Sequence, residues 1–478
     1  MAHIDLFFWQ KIFFLYNCER YLFGIHLNLM KKNLFTKPLA LFQSREQEIS
    51  NGLFFSLKKN FFAIPISVRL ISFSMFLFML GWGLGADTFF SLYIETIVKN
   101  VLLVSVIGAI LPLSKMFFSL PIWEIDDHSD MKQVLFLSKI LYVISWLFFF
   151  GAWILHSPWI LIAAVIFNGF ASATMFSTYE SYIHLVKTDS HDDRESRWLY
   201  FSSINGAYVV WALISYFLVQ WINLEYLYLF IVLFSLVSLI ADRKIPLLQF
   251  HKIKKFFWET DFLRYFFGEV FSFGPIKRTY AAMKYYPKSI LYVFGFEAVF
   301  NILNYIWFIF IPLAAAANHL SLGEVALVFA IMKLPYLTNL FTASWSQRFH
   351  KKSFILTCFV FMSLFYAAFA FNTSFWGTMI LSFAISMGLA IVRPLIYALF
   401  SENTHPDHAG SITGMQHFVG TFAEVIGILL FGALSSAIGV QHTFLIVGIG
   451  LFVLAGVWIL RRYSERAILV REKKHHTA

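Results

Sequence analysis

Charge is scarce in this chain, and so is cysteine. Only 13% of its 478 residues are charged, and its two cysteines, Cys18 and Cys358, stand in unlike settings with no ligand spacing. The first shortage excludes a set of soluble domains built around ordinary cores. The second excludes a disulfide framework or a thiolate metal site. The sequence also has no glycine-rich lysine loop of the kind that cradles phosphates, which argues against a built-in ATPase. Acidic and histidine side chains do not gather at one depth, as a membrane-embedded enzyme would need. The expectation is therefore a non-enzyme with no cofactor and no metal.

What the chain has is apolar length. Hydrophobic residues make up 59% and aromatic residues 20%, and a helix needs about 20 apolar residues to cross a bilayer core of roughly 30 Å. Such runs fall near 69–93, 101–122, 134–153, 158–183, 199–222, 225–241, 289–313, 323–346, 353–371, 374–400, 408–435 and 441–460. The expected fold is an all-α polytopic membrane protein of twelve transmembrane helices. It divides into a tail over 1–68, six helices over 69–241, a connector over 242–288, six helices over 289–460 and a tail over 461–478. The near-equal lengths of the two six-helix segments point to a duplicated unit.

The net charge of +10 could suggest nucleic acid, but its placement points to the lipid bilayer. Of 37 Lys and Arg residues, 32 fall in the tails and in alternate loops on one side, while the other side holds only Lys99. Basic loops stay cytoplasmic, so both termini and the connector are expected there, with the protein in the cell inner (plasma) membrane. No nucleic-acid partner is expected. Within the connector, Ile253, Phe256, Phe257 and Leu263 interleave with Lys252, Lys254 and Lys255 like an amphipathic helix on the anionic leaflet. The first 29 residues, broken by Lys11, Glu19 and Arg20, read as a surface-lying segment or an extension upstream of a start at Met30.

The opposite loops are a few residues long, as around 156–158 and 372–374, and leave no room for an external domain. Asn372-Thr373-Ser374 matches a glycosylation acceptor, yet its position in a tight turn makes coincidence the better reading. His405 and His408 could suggest a metal, but Thr404 and Asp407 with Pro406 read as a capped helix start.

At this point the sequence resembles the major facilitator superfamily, over residues 69–460. That family carries an acidic and basic turn between its second and third helices, and the stretch 120–135 aligns with it without gaps. Asp127 takes the acidic position and Lys132 a basic one, with Trp123 and Asp130 where the family has glycines. The matching turn in the second half keeps Arg348, Lys351 and Lys352, with Gln347 in the acidic position. The resemblance implies two pseudo-symmetric six-helix bundles, a cytoplasmic gate at Asp127, Lys132, Arg348, Lys351 and Lys352, and lipid-facing third, sixth, ninth and twelfth helices. Small residues over 168–173 in the fourth helix predict close helix packing.

Ionisable groups inside a bilayer cost about 2.5–3.5 kcal/mol each on insertion scales, so they face a cavity or a partner. Here they are Asp87, Lys115, Glu180, Glu297, Lys333, Arg393 and Glu424, with Lys139 close enough to the inner face to snorkel. Glu297, Asn301 and Asn304 recur at i, i+4 and i+7, which sets them on one stripe of the seventh helix. Lys333 and Tyr336 share a face of the eighth. A polar pathway is expected over Asp87, Glu297, Asn301, Asn304, Lys333, Tyr336, Arg393 and Glu424. Glu297 and Lys333 are expected at its centre, with Glu424 within reach of Lys333 or Arg393 as a proton carrier. Glycines of the eleventh helix, Gly410, Gly414, Gly420, Gly427 and Gly432, predict one close-packed face. The function expected is a secondary active carrier of a small solute by alternating access, coupled to a proton or ion and monomeric. The alternative is a transport-inactive receptor, sensor or assembly factor of the same architecture.

Overall fold

The computed structural model describes residues 66–83, 89–128, 131–185, 193–245, 289–337, 351–402 and 409–476, together with Gly268, Gly274 and Lys277. Residues 65–478 form one compact unit. Its helices are α1 Ile66–Trp82, α2 Phe90–Val98, α3 Val101–His128, α4 Met131–Ile154, α5 Pro158–Leu185, α6 Asp193–Leu218 and α7 Leu227–Asp242. After the connector come α8 Ser289–Ala317, α9 Leu322–Leu337, α10 Lys351–Phe369, α11 Phe375–Glu402, α12 Ala409–Ile438 and α13 Val440–His476. Each of the twelve expected segments overlaps a described helix, the first being divided between α1 and α2. Among the described residues nine helices are long and apolar enough to cross a membrane, and α1 and α7 are shorter apolar helices.

The local sequence explains where these helices begin and end. Pro158 opens α5, where its missing N–H costs nothing. Ser321 and Glu324 form a capping box at the start of α9: the Ser321 N–H and hydroxyl donate to Glu324 Oε2 at 2.8 Å, and the Glu324 N–H donates back to Ser321 Oγ at 3.3 Å. Left-handed residues close the tight turns at the same end of the molecule, namely Lys99, His156, His319 and Gly439. Only one residue, Gly439 at φ 86°, separates α12 from α13, and glycine is the residue that takes this angle without strain. The loops at this end are short throughout, as expected. The Asn372 amide is spent inside its turn, donating to Thr378 Oγ1 at 2.8 Å and to the Ser374 carbonyl at 3.2 Å.

Trp159, Trp221, Phe371 and Trp376 stand 70–86% exposed at this short-loop end, where indole and phenyl rings suit a membrane–water interface. Along α7, Leu229, Leu233, Leu236, Val237 and Ile240 form an exposed apolar stripe at helical spacing. Such a face needs lipid as its solvent. Inside, Trp82, Tyr142, Trp146, Phe149 and Tyr228 stack α1, α4 and α7 together. Trp307, Tyr366, Phe369 and Phe444 do the same for α8, α10 and α13. Ring area of this kind supplies packing that the thin polar content cannot.

Small residues set the closest helix crossings. A Cβ on Gly169 of α5 would stand 2.5 Å from Ser114 Cβ and 2.7 Å from the Leu111 carbonyl of α3, in keeping with the close packing expected there. The α12 glycines do not share one face. Gly420 and Gly427 lie against Asn301 and Ile302 of α8, whereas Gly432 lies against Ser105 of α3. A run of five glycines over 23 residues winds past more than one neighbour, because a straight helix turns 100° per residue.

Candidate functional site

The polar stripe of α8 faces α11 and α12. Glu297 is 2% exposed, and its carboxylate accepts from Arg393 Nη1 at 2.5 Å, Asn301 Nδ2 at 2.7 Å and Gln416 Nε2 at 3.0 Å. Arg393 also donates through Nη2 to the Tyr397 hydroxyl at 2.7 Å and lies over the Phe300 and Tyr397 rings. This approach depends on Gly420, where a Cβ would come within 2.6 Å of Asn301 Nδ2. A buried carboxylate with one cation and two amide donors has its lone pairs filled, which is the condition under which an internal ion pair repays its desolvation.

Lys333 is 7% exposed and stands four residues before the end of α9. Its ammonium lies 3.8 Å from the Phe308 ring centre, 4.4 Å from that of Tyr208 and 5.6 Å from that of Tyr336. Phe308 belongs to α8 and Tyr208 to α6, so side chains from before and after the connector meet around one cation. The Tyr336 hydroxyl donates to Asn304 Oδ1 at 3.3 Å, which ties this cage to the α8 stripe.

Glu424 of α12 is 5% exposed, and its Oε2 is buried without a hydrogen-bond partner. Its other polar neighbours are the Tyr305 hydroxyl of α8 and, as the strongest nearby charge, Lys115 of α3. Lys115 in turn lies 5.6 Å from the Phe176 ring centre on α5. Sequence reading placed Glu424 near Lys333 or Arg393. The fold instead gives it Lys115 as its main cation, with Arg393 a lesser one, because α12 packs along α3 as well as α8.

The helices before and after the connector also touch at the short-loop end. Gly432 meets Ser105, Gly323 meets Tyr216, and Leu92, Glu95 and Thr96 of α2 share an apolar pocket with Ala316, Leu320 and Val325.

The structure divides the expected site residues. Direct contacts join Glu297, Asn301 and Arg393 on one hand and Asn304, Lys333 and Tyr336 on the other, and the Arg393 charge reaches both Tyr336 and Glu424. Glu297 and Lys333, expected together at the centre, have different direct partners, Arg393 and Gln416 for the first and the Tyr208 and Phe308 rings for the second. Asp87 and Arg348 lie outside the described residues, as do His405, His408 and most of the connector, and of Asp127 only its helical backbone in α3 is described. Lys132 donates to the carbonyls of Arg243 and Ile245 at 3.0 and 2.9 Å, capping the exit of α7. Lys351 pairs with Glu402, and Lys352 lies 5.6 Å from the Tyr292 ring centre.

The expectation for Lys139 is overturned. Lys139 does not snorkel: it is 0% exposed and ion-paired with Asp242 at the end of α7. Asp242 stands one residue beyond the expected sixth segment, 225–241, as the last residue of α7. Ser74 and Tyr179 complete the cluster. The sequence did carry a signal, since Asp242 directly follows an apolar run, but only packing of α4 on α7 pairs it with Lys139. Gln416 was also missed, for an uncharged amide in a helix carries no cost large enough to mark it.

Residues 289–477 match the family model described as Major Facilitator Superfamily. The described fold matches a solved nucleoside transporter, NupG, with a TM-score of 0.64 at 15% identity, over 82% of this chain and 98% of that one. The second half of the chain therefore carries the family match, and the likeness to the solved transporter is one of fold. The fold also matches the human organic anion transporter MFSD10 (TM-score 0.60, 14% identity, 81% and 97% covered). A POT family transporter in complex with 5-aminolevulinic acid matches with a TM-score of 0.66 at 12% identity, over 83% and 96% of the two chains. No curated protein matches by sequence. At these identities the structural likeness is one of fold, that of a multi-pass helical membrane protein.

Proposed function

We propose that this protein is a secondary carrier of the major facilitator superfamily, which moves a small solute across the membrane by alternating access, with a proton or another small cation coupled at Glu424. The observation that carries the reading is the Lys333 ammonium held over Tyr208 of α6 and Phe308 of α8. A cation shared by helices from both sides of the connector is where a solute would be grasped by one set and released by the other. An ammonium among rings suits a solute with a negative group and a flat or apolar body. The solutes named for the three matched transporters are chemically unlike one another, so the fold leaves the choice to these side chains.

The basic bias puts the long-loop end in the cytoplasm. The contacts at Gly432, Gly323 and α2 then join the two sets of helices at the outer end. Glu424 supports coupling because a buried carboxylate oxygen with no hydrogen-bond partner has room for a proton.

The test is uptake by proteoliposomes against a panel of small anions, with and without a pH gradient. The parent should accumulate at least one solute, and Lys333→Met, which keeps the volume and removes the charge, should lose uptake by on the order of tenfold or more while its melting curve is kept. Undiminished uptake by Lys333→Met would remove Lys333 from the site.

A further inference from the structure

The cluster around Lys139 lies in α1, α4, α5 and α7, away from the proposed solute site, and all of its members are buried. Asp242 is the last residue of α7, whose final carbonyls at Ile240, Ala241 and Asp242 accept from the N–H groups of Arg243, Lys244 and Ile245. Carboxylate and helix end are both negative, and a helix C-terminus favours a cation. Four oxygens gather there. Ser74 Oγ lies 2.5 Å from Asp242 Oδ1 and 3.2 Å from the Ser238 carbonyl, and the Tyr179 hydroxyl lies 3.3 Å from both Ser74 Oγ and Asp242 Oδ1. Into this set comes the Lys139 ammonium, 2.8 Å from Ser74 Oγ and in contact with Asp242 Oδ2. Seven residues earlier on the same face of α4, Lys132 donates to the next free carbonyls, those of Arg243 and Ile245.

Carboxylate, hydroxyl, phenol and carbonyl oxygens are the hard donors that hold alkali and alkaline-earth cations. Buried without a cation, Asp242 would bear the full cost of an unpaired charge. We propose that the Ser74–Tyr179–Ser238–Asp242 oxygens form a monovalent-cation site filled from within, the Lys139 ammonium standing where a sodium ion would otherwise bind. The helices that meet there are thereby freed from any need for external sodium, and a coupling ion must bind elsewhere in the chain. The inference does not depend on what the protein carries.

The test is thermal unfolding of the full-length purified protein in sodium, potassium or choline chloride at equal ionic strength. The parent should melt alike in all three. Lys139→Ala, which opens the space, should melt lower in choline and recover in sodium, because an ion bound only by the folded state raises its stability. Lys139→Met, which fills the space without charge, should stay low in every salt, and the double variant D242N/K139A should lose the sodium response. Equal melting of K139A in all three salts, or an equal sodium gain in D242N/K139A, would overturn the site. If K139A unfolds on extraction, it is purified with sodium or choline present throughout. Folded protein in sodium alone supports the proposal. Folded protein in neither, with D242N/K139M folding normally, reduces Lys139 to a counter-charge and overturns it.

Discussion

Gly432 of α12 rests directly on Ser105 of α3: a Cβ at position 432 would stand 2.2 Å from the serine Cβ and 2.1 Å from its Oγ. Atoms that close cannot coexist, so the two backbones meet there only because one of them bears no side chain. Gly432→Leu should wedge α3 from α12 at the short-loop end. Spin labels on cysteines introduced at Lys99 and His442, beside the ends of those helices, should report a longer distance in that variant than in the parent. An unchanged distance would mean the crossing adapts without opening.

The Glu297–Arg393 pair should behave as a unit. Glu297→Gln leaves a guanidinium without its counter-charge, and Arg393→Met leaves a buried carboxylate, so each alone should cost about 3–5 kcal/mol. The double variant removes both charges and should cost clearly less than the two singles added together. Denaturation of the four proteins in one detergent gives the coupling directly. Additive losses would show that the pair is not coupled.

Coupling is read at Glu424. Glu424→Gln nearly keeps volume and hydrogen-bonding capacity but cannot release a proton. It should exchange solute between equal pools like the parent, and it should fail to accumulate solute against a gradient when a pH difference is imposed. Accumulation at the parental level would leave Glu424 as a partner of Lys115 and Tyr305 only.

Topology can be checked with single thiols in a background lacking Cys18 and Cys358. A cysteine at Asn372, in the turn between α10 and α11, should react with an impermeant reagent applied to intact cells. A cysteine at Lys277, in the basic connector, should react only after the cells are opened. The reverse pattern would invert the protein in the membrane.

The α9 capping box makes a smaller claim. Ser321→Ala removes the hydroxyl that accepts the Glu324 N–H and donates to its carboxylate, which should lower stability by about 0.5–2 kcal/mol. A melting temperature equal to the parent's would show that α9 is held by packing alone.

Much of the fold was legible because lipid imposes strict local rules on sequence. A run of about 20 apolar residues has few alternatives to a helix when water cannot satisfy its backbone, and each expected segment from 69–93 to 441–460 overlaps a described helix. The short turns at one end follow from the same spacing. The α8 stripe was equally readable, since Glu297, Asn301 and Asn304 share a face by helix geometry alone.

Pairing was not legible, because the partner of a charge is chosen by which helices pack. The sequence marked Glu297, Lys333, Arg393 and Glu424 as charges within apolar helices, and it determined the helices, their polar faces and the basic bias of one side. Tertiary structure decided that Glu297 takes Arg393 and Gln416 through the gap that Gly420 leaves, that Lys333 lies among Tyr208 and Phe308, and that Glu424 looks toward Lys115. It also turned Lys139 inward to Asp242, a contact over about 100 residues that no local pattern encodes. The physical reason is that the cost of a buried charge is local and visible in composition, whereas its relief depends on distance in space between helices remote in sequence.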